Sequence, residues 1–180
     1  KEKWLEARRR YLTASEIPAI LGQVPWESPL AVFGRKLGLI DEKEETEAMR
    51  FGTLLQPIVR DAYVQETKRQ VRDVGDYTLL VSERYPFLAC TLDYLILPVV
   101  PERGEGTLEV KTTGAFHRGE WSEGPPLRAQ IQLQFQLIVT GLGWGSVAGL
   151  IGGQSFRWGD VEGDLDFQGI AIEAVEEFHR

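Results

Sequence analysis

Polar and apolar positions change period twice along the chain. Between residues 46 and 68, Met49, Leu54, Ile58, Val59, Ala62 and Tyr63 recur at the three- and four-residue spacing of a helix with one apolar side. Pro57 lies inside this stretch and is expected to kink the helix or mark a second start. The period then shortens. Residues 74–81, 87–97 and 106–112 are short apolar runs rich in Val, Leu and Tyr, and they read as three strands in meander order with a turn at 101–106. Residues 126–139 return to helix, ended by Gly141 and Gly143. Residues 144–151 and 155–161 read as two more strands, and 164–178 as a closing helix.

The first part of the chain is helical too. Residues 4–11 read as a short helix carrying Arg8, Arg9 and Arg10. Thr13-Ala14-Ser15-Glu16 reads as a helix start with a hydroxyl available to cap exposed N–H groups. Pro29 can open a further helix that runs to about Leu37 and stops at Gly38. The acidic run 41–47 reads as a solvated loop entering a helix N-terminus. The resulting order is helix, three strands, helix, strand. It gives an α/β (α+β) sandwich, with a mixed central sheet flanked by helices.

Composition narrows the class. The 180 residues, 43% hydrophobic and 26% charged, fit one domain with a substantial core, spanning 1–180. No run reaches the ~20 apolar residues of a membrane helix. The polar start at Lys1 is not a secretory signal; without Met, it reads as a trimmed or partly disordered N-terminus. The single Cys90 excludes an internal disulfide and a cysteine-based zinc site. A net charge of −7 argues against a passive nucleic-acid binder, which is normally basic. It does not exclude a nuclease, whose carboxylates meet DNA through metal ions.

Three groups of residues carry chemistry. On a strand, Glu109 and Lys111 lie on the same face, and a hairpin can bring Asp93 opposite Glu109. Two carboxylates and the carbonyl of Val110 are hard oxygen donors suited to Mg²⁺ or Mn²⁺. Lys111 can hold or help deprotonate an attacking water. The second group is Gln130, Gln132, Gln134 and Gln136. Their alternation fits a strand, but the segment length and the side shared by Ala129, Leu133 and Leu137 favour helix, with Gln132 and Gln136 stacked at i, i+4. The third is the arginine cluster with Thr13 and Ser15, a combination suited to phosphate oxygens. Trp26, Trp121 and Trp144 can each stack on a base, but packing is the role expected of them. His117 and His179 belong to no ligand motif.

These residues resemble the YqaJ-like viral recombinases, whose best-known relative is the lambda exonuclease, within the restriction-endonuclease-like PD-(D/E)XK nucleases. Trp4, Arg8 and Thr13-Ala14-Ser15-Glu16 match an N-terminal motif. Gly52 opens a helix motif, Asp93 matches the first metal-binding aspartate, and Glu109-Val110-Lys111 matches the E-x-K strand. Gln132 matches the active-site glutamine, ahead of Val139-Thr140-Gly141, and Gly152-Gly153-Gln154 matches the next strand end. The match spans residues 4–161. The resemblance implies a Mg²⁺-dependent exonuclease, with Mn²⁺ able to substitute, that digests double-stranded DNA 5′ to 3′ in phage-type recombination by single-strand annealing. It implies catalytic roles for Asp93, Glu109, Lys111 and Gln132. The metal would be held by Asp93, Glu109, Val110 and Gln56, and a 5′-phosphate by Arg8 and Ser15. It further implies a homotrimeric ring around duplex DNA, a single-strand annealing partner, and a cytoplasmic phage or prophage protein in a bacterial host. Two departures stand out. Gln56 occupies the helix position where the family carries a glutamate, and Leu92 and Tyr94 replace the usual proline and glycine around Asp93. Two alternatives follow: a catalytically attenuated DNA-binding relative, and a restriction-type or structure-specific endonuclease.

Overall fold

The computed structural model describes residues 2–75, 77–98, 100 and 103–180. Helix α1 (Glu2–Arg9) leads into the short strand β1 (Leu12–Thr13), helix α2 (Ile17–Ile20) and helix α3 (Pro29–Lys36). Helix α4 (Glu47–Thr67) follows, then strands β2 (Val71–Asp73), β3 (Leu80–Val81), β4 (Leu88–Cys90), β5 (Tyr94–Ile96) and β6 (Gly106–Thr113). A 3-10 helix (Ala115–Trp121) leads to helix α5 (Leu127–Thr140), strands β7 (Trp144–Ile151) and β8 (Ser155–Glu162), and helix α6 (Leu165–His179).

The five-stranded sheet has the order β2-β5-β6-β7-β8. Strands β6 and β7 pair in parallel from Thr107 with Gly145 to Thr113 with Ile151, and the other neighbours are antiparallel. The parallel pair needs a crossover, which the 3-10 helix and α5 supply. Alternation sorts β6 into two faces. Leu108 and Val110 pack with Val59 and Tyr63 of α4, while Thr107, Glu109 and Lys111 point to α5. A second, three-stranded sheet runs β1-β4-β3, and its apolar side joins α2, α5 and α6 in one core.

Several expectations need correction. The run 87–97 is not one strand. It breaks at Thr91-Leu92-Asp93, and its halves, β4 and β5, pair in different sheets. The expected strand 74–81 is likewise replaced by β2 and β3, so the three-strand meander does not form. The turn expected at 101–106 begins at residues outside those described. Of the two outcomes expected at Pro57, a kink or a second start, the second start does not occur, because α4 runs through it as one helix. Thr13 and Ser15 do not cap α2, whose N-cap is Glu16 with no side-chain capping bond. The glutamine-rich segment is helical as expected, and Gly141 ends it at φ 74°, a left-handed conformation that glycine adopts without strain.

A polar network locks the far edge of the large sheet. Arg69 donates two bonds to Asp160, at 2.6 and 2.8 Å, and Arg103 donates a third at 2.9 Å. Ser146 donates to the same carboxylate at 2.6 Å, and Arg69 also reaches Tyr63 of α4. The network therefore ties β7 and β8 to the helix layer. Burial alone would raise Asp160, but the bonds from Arg69, Ser146 and Arg103 prevail and hold it below the usual carboxylate range. A depressed carboxyl contributes stability that is complete above its unfolded value, about 3.9, and is lost as pH falls through the lower folded value. Urea unfolding at a series of pH values should therefore show the wild type losing stability below about pH 4, with a shallower slope there for Asp160→Asn. Identical slopes would remove Asp160 from the acid response.

Candidate active site

The site forms where β5 leaves β6. Strand β5 pairs with β6 only from Gly106 to Leu108, with Tyr94 opposite Leu108. Beyond that point no described strand lies on the β5 side of β6, and the register carries Asp93 across from Glu109. Asp93 Oδ2 accepts from the Val110 N–H at 2.7 Å, taking the place of the next strand bond. In an extended strand, a residue's N–H and C=O point to the same side. The carbonyl of Val110 therefore faces the Asp93 side as well. Gln56 of α4 lies close enough to the Asp93 carboxyl to favour its charged form.

Glu109 is 3% exposed. A charge out of water must be paired and hydrogen-bonded, and Glu109 is both. Lys111 Nζ donates to Oε1 at 2.6 Å, and Gln132 Nε2 donates to the same oxygen at 2.8 Å. Gln136 Nε2 donates to Oε2 at 2.6 Å. Lys111 also donates to Gln132 Oε1 at 2.8 Å, which fixes the amide's orientation. Behind them, Thr107 donates to Gln136 Oε1 at 3.2 Å. Burial and the charge of Glu109 push the Asp93 carboxyl up, while the Val110 N–H, Lys111 and Gln56 act against them. Cys90 lies nearby, and burial with the Glu109 charge pushes its thiol up to about 12, so it is not a nucleophile at neutral pH.

Helix α1 builds a second cluster. Arg8 Nη2 donates to Thr13 Oγ1 at 3.0 Å and Ser15 Oγ at 3.1 Å, and its guanidinium stacks over Trp4, 4.7 Å from the ring centroid. Trp4 in turn donates to Thr91 at 3.2 Å, in the break between β4 and β5. Glu16 accepts from the Thr13 hydroxyl and from Lys36. A cavity of about 300 Å³ joins the clusters, because Ser15, Lys111 and Gln132 all line it.

The structure thus brings Asp93, Glu109, Val110, Lys111, Gln132 and Gln56 together, and sets Arg8 with Ser15 beside them. Among the described residues there is no cluster of three His, Cys, Asp or Glu side chains able to hold a metal. Trp121 and Trp144 are packed as expected, but Trp26 is 59% exposed and the expectation of a packing role fails for it. Gln136 was legible only as a polar position stacked on Gln132. Its role appears once α5 is laid on β6.

The YqaJ-like viral recombinase domain family matches residues 3–143. The YqaJ protein of Bacillus subtilis (strain 168) is 31% identical over 183 residues, covering 99% of this chain and 55% of that protein, so the chain spans about half of that relative's length. The crystal structure of the alkaline exonuclease LHK-Exo from Laribacter hongkongensis is similar with a TM-score of 0.79 at 22% identity, over 99% of this chain and 90% of that one. A phage related exonuclease from Haemophilus somnus 129PT gives a TM-score of 0.65 at 11% identity, over 93% and 91%. The fold is that of these structures, a mixed α/β arrangement of helices and mixed sheets.

Gln136 offers a direct check of the buried network. Gln136→Leu removes one donor from a buried carboxylate and should cost about 1–3 kcal/mol in urea unfolding. In a Glu109→Gln background the loss should shrink by at least about 0.5 kcal/mol. Additive losses would mean that the two side chains do not depend on each other.

Proposed function

The chain belongs to the YqaJ-like viral recombinase domain family, and from that footing we propose that it is a metal-dependent DNA exonuclease that digests one strand of duplex DNA from a 5′ end. The observation that carries this is the convergence of Lys111 and Gln132 on Glu109, with Asp93 across the strand edge. We read residues 1–180 as a single nuclease domain.

The donor set suits a hard divalent cation. Asp93 and Glu109 stand close enough that one charge raises the other carboxyl, and the Val110 carbonyl adds a third hard oxygen on the same edge. Asp93, Glu109, the Val110 carbonyl and Gln56 Oε1 would hold Mg²⁺, with Mn²⁺ able to substitute. Bound there, the ion would supply Lewis-acid polarisation of the scissile phosphate.

The side chains do the rest. Lys111 Nζ and the Gln132 amide hold the attacking water against the phosphorus, and Lys111 favours its deprotonated form. Water adds at phosphorus, the bond to the 3′ oxygen of the terminal nucleotide breaks, and a 5′-mononucleotide leaves. The next nucleotide keeps the phosphate, so each cut regenerates the end that Arg8 and Ser15 hold. Their geometry supports this role: Arg8 donates to the Ser15 hydroxyl, and Ser15 lines the same cavity as Lys111. LHK-Exo, of the same fold, has been crystallised with dAMP.

In the cell, the chain would act on double-stranded DNA ends as a homotrimeric ring, with a single-strand annealing protein, in the cytoplasm of a phage-carrying bacterium. A ring reconciles a net charge of −7 with work on DNA, because basic residues need only line the channel. Exposed Leu30, Leu39, Leu54 and Ile58 on and between α3 and α4 supply apolar surface for assembly. Among the described residues, no helix is long and apolar enough to cross a membrane.

Gln56 favours a second reading, a catalytically attenuated DNA-binding relative, since a neutral amide is a poorer Mg²⁺ ligand than a carboxylate. One assay separates the readings. Wild type, Gln56→Glu and Lys111→Ala are incubated with Mg²⁺ and either 5′-phosphorylated linear duplex or a covalently closed circle. The exonuclease reading expects digestion of the linear duplex alone, at least about 100-fold slower for Lys111→Ala. Digestion by Gln56→Glu alone would select the attenuated reading. Cleavage of the closed circle would indicate an endonuclease, and inactivity of both wild type and Gln56→Glu would reject the enzyme.

A further inference from the structure

The cavity beside Lys111 and Gln132 has a wall that the hydrolytic residues do not use. Trp26, in the loop between α2 and α3, lines it while keeping 59% of its surface exposed. Arg128, in the first turn of α5, lies over this ring, its guanidinium carbon 5.6 Å from the centroid. Both are held in place. Arg128 is ion-paired with Glu120, which also bonds His117. Glu27, the neighbour of Trp26, is nearly buried and paired with Arg35 and Lys43.

An open indole on an anchored loop, with a fixed guanidinium on one side, loses little freedom when a flat group stacks on it. The cavity, about 300 Å³, falls at the small end of ligand sites and suits one nucleotide rather than a base pair. Its other wall carries the ammonium and amide placed at the phosphate.

We propose that Trp26, backed by Arg128, is a stacking platform for the unpaired base of the nucleotide being removed. The identity of this occupant rests on the nuclease reading above. Stacking uses the π-face that every base has, so the platform holds a base without reading which one it is. It also requires the terminal base pair to be open when the phosphate reaches Lys111.

The test uses the full chain and 5′-phosphorylated duplexes whose terminal nucleotide is either normal or abasic. Wild type should digest the abasic end about tenfold less efficiently, in the range expected for one stacked base. Trp26→Ala should lose about tenfold on the normal end and no longer distinguish the two, and Trp26→Phe should recover most of the difference. If Trp26→Ala still discriminates as wild type does, the platform is refuted. If neither wild type nor Gln56→Glu digests DNA, the nuclease reading fails and tryptophan fluorescence decides the platform separately. Deoxyadenosine 5′-monophosphate should quench the wild type, deoxyribose 5-phosphate should not, and Trp26→Phe should abolish the response. No quenching, or equal quenching by both probes, overturns the proposal.

Discussion

The carboxylate of Glu109 sits at the junction of β6 and α5 and cannot be left there unsatisfied. It is almost fully buried, and an ionised carboxylate without partners in such a place would cost several kcal/mol. Strand β6 supplies Lys111 from two residues along the same face, and α5 supplies Gln132 and Gln136 from one turn apart. These bonds fix how α5 lies on the sheet. They also hold the ammonium and one amide at the edge of a cavity. The requirement that stabilises the α5–β6 contact is therefore the one that organises the polar groups of the site.

The other half of the site depends on an interruption. Were β5 to continue beside β6, the Val110 N–H and C=O would be spent on strand pairing. The chain instead turns at Leu92 and Asp93, and the Asp93 side chain takes the N–H. Trp4 reaches the same break through Thr91, which connects the helix carrying Arg8 to the loop carrying Asp93. Positions far apart in sequence converge because the sheet ends early.

Much of this was legible in sequence. The helix around residues 46–68, the strands at 106–112 and 144–161, and the helix at 126–139 all show in local periodicity, and the pairing of Glu109 with Lys111 follows from strand alternation alone. What did not show has a common cause. The run 87–97 is apolar apart from Thr91 and Asp93, and nothing local says that its halves join different sheets, because pairing partners are set at long range. Thr13 and Ser15 carry the residue types of a helix cap but serve Arg8 and Glu16, a competition decided by tertiary contacts. The exposure of Trp26 likewise depends on which elements cover it. Gln136 was visible as a helical neighbour of Gln132, yet only the docking of α5 reveals that both amides hold the two oxygens of one carboxylate.

Gln56 bears most on how the site works, since the side chain that reaches Asp93 from α4 is neutral. Two carboxylates and a backbone carbonyl must then hold a cation with amide help. The most direct test is a crystal grown with saturating Mn²⁺ and measured for anomalous scattering. Joint metal binding by the two carboxylates predicts a peak within bonding distance of oxygens from both Asp93 and Glu109. A well-ordered site with no peak there, or Mn²⁺ bound only elsewhere, would contradict it.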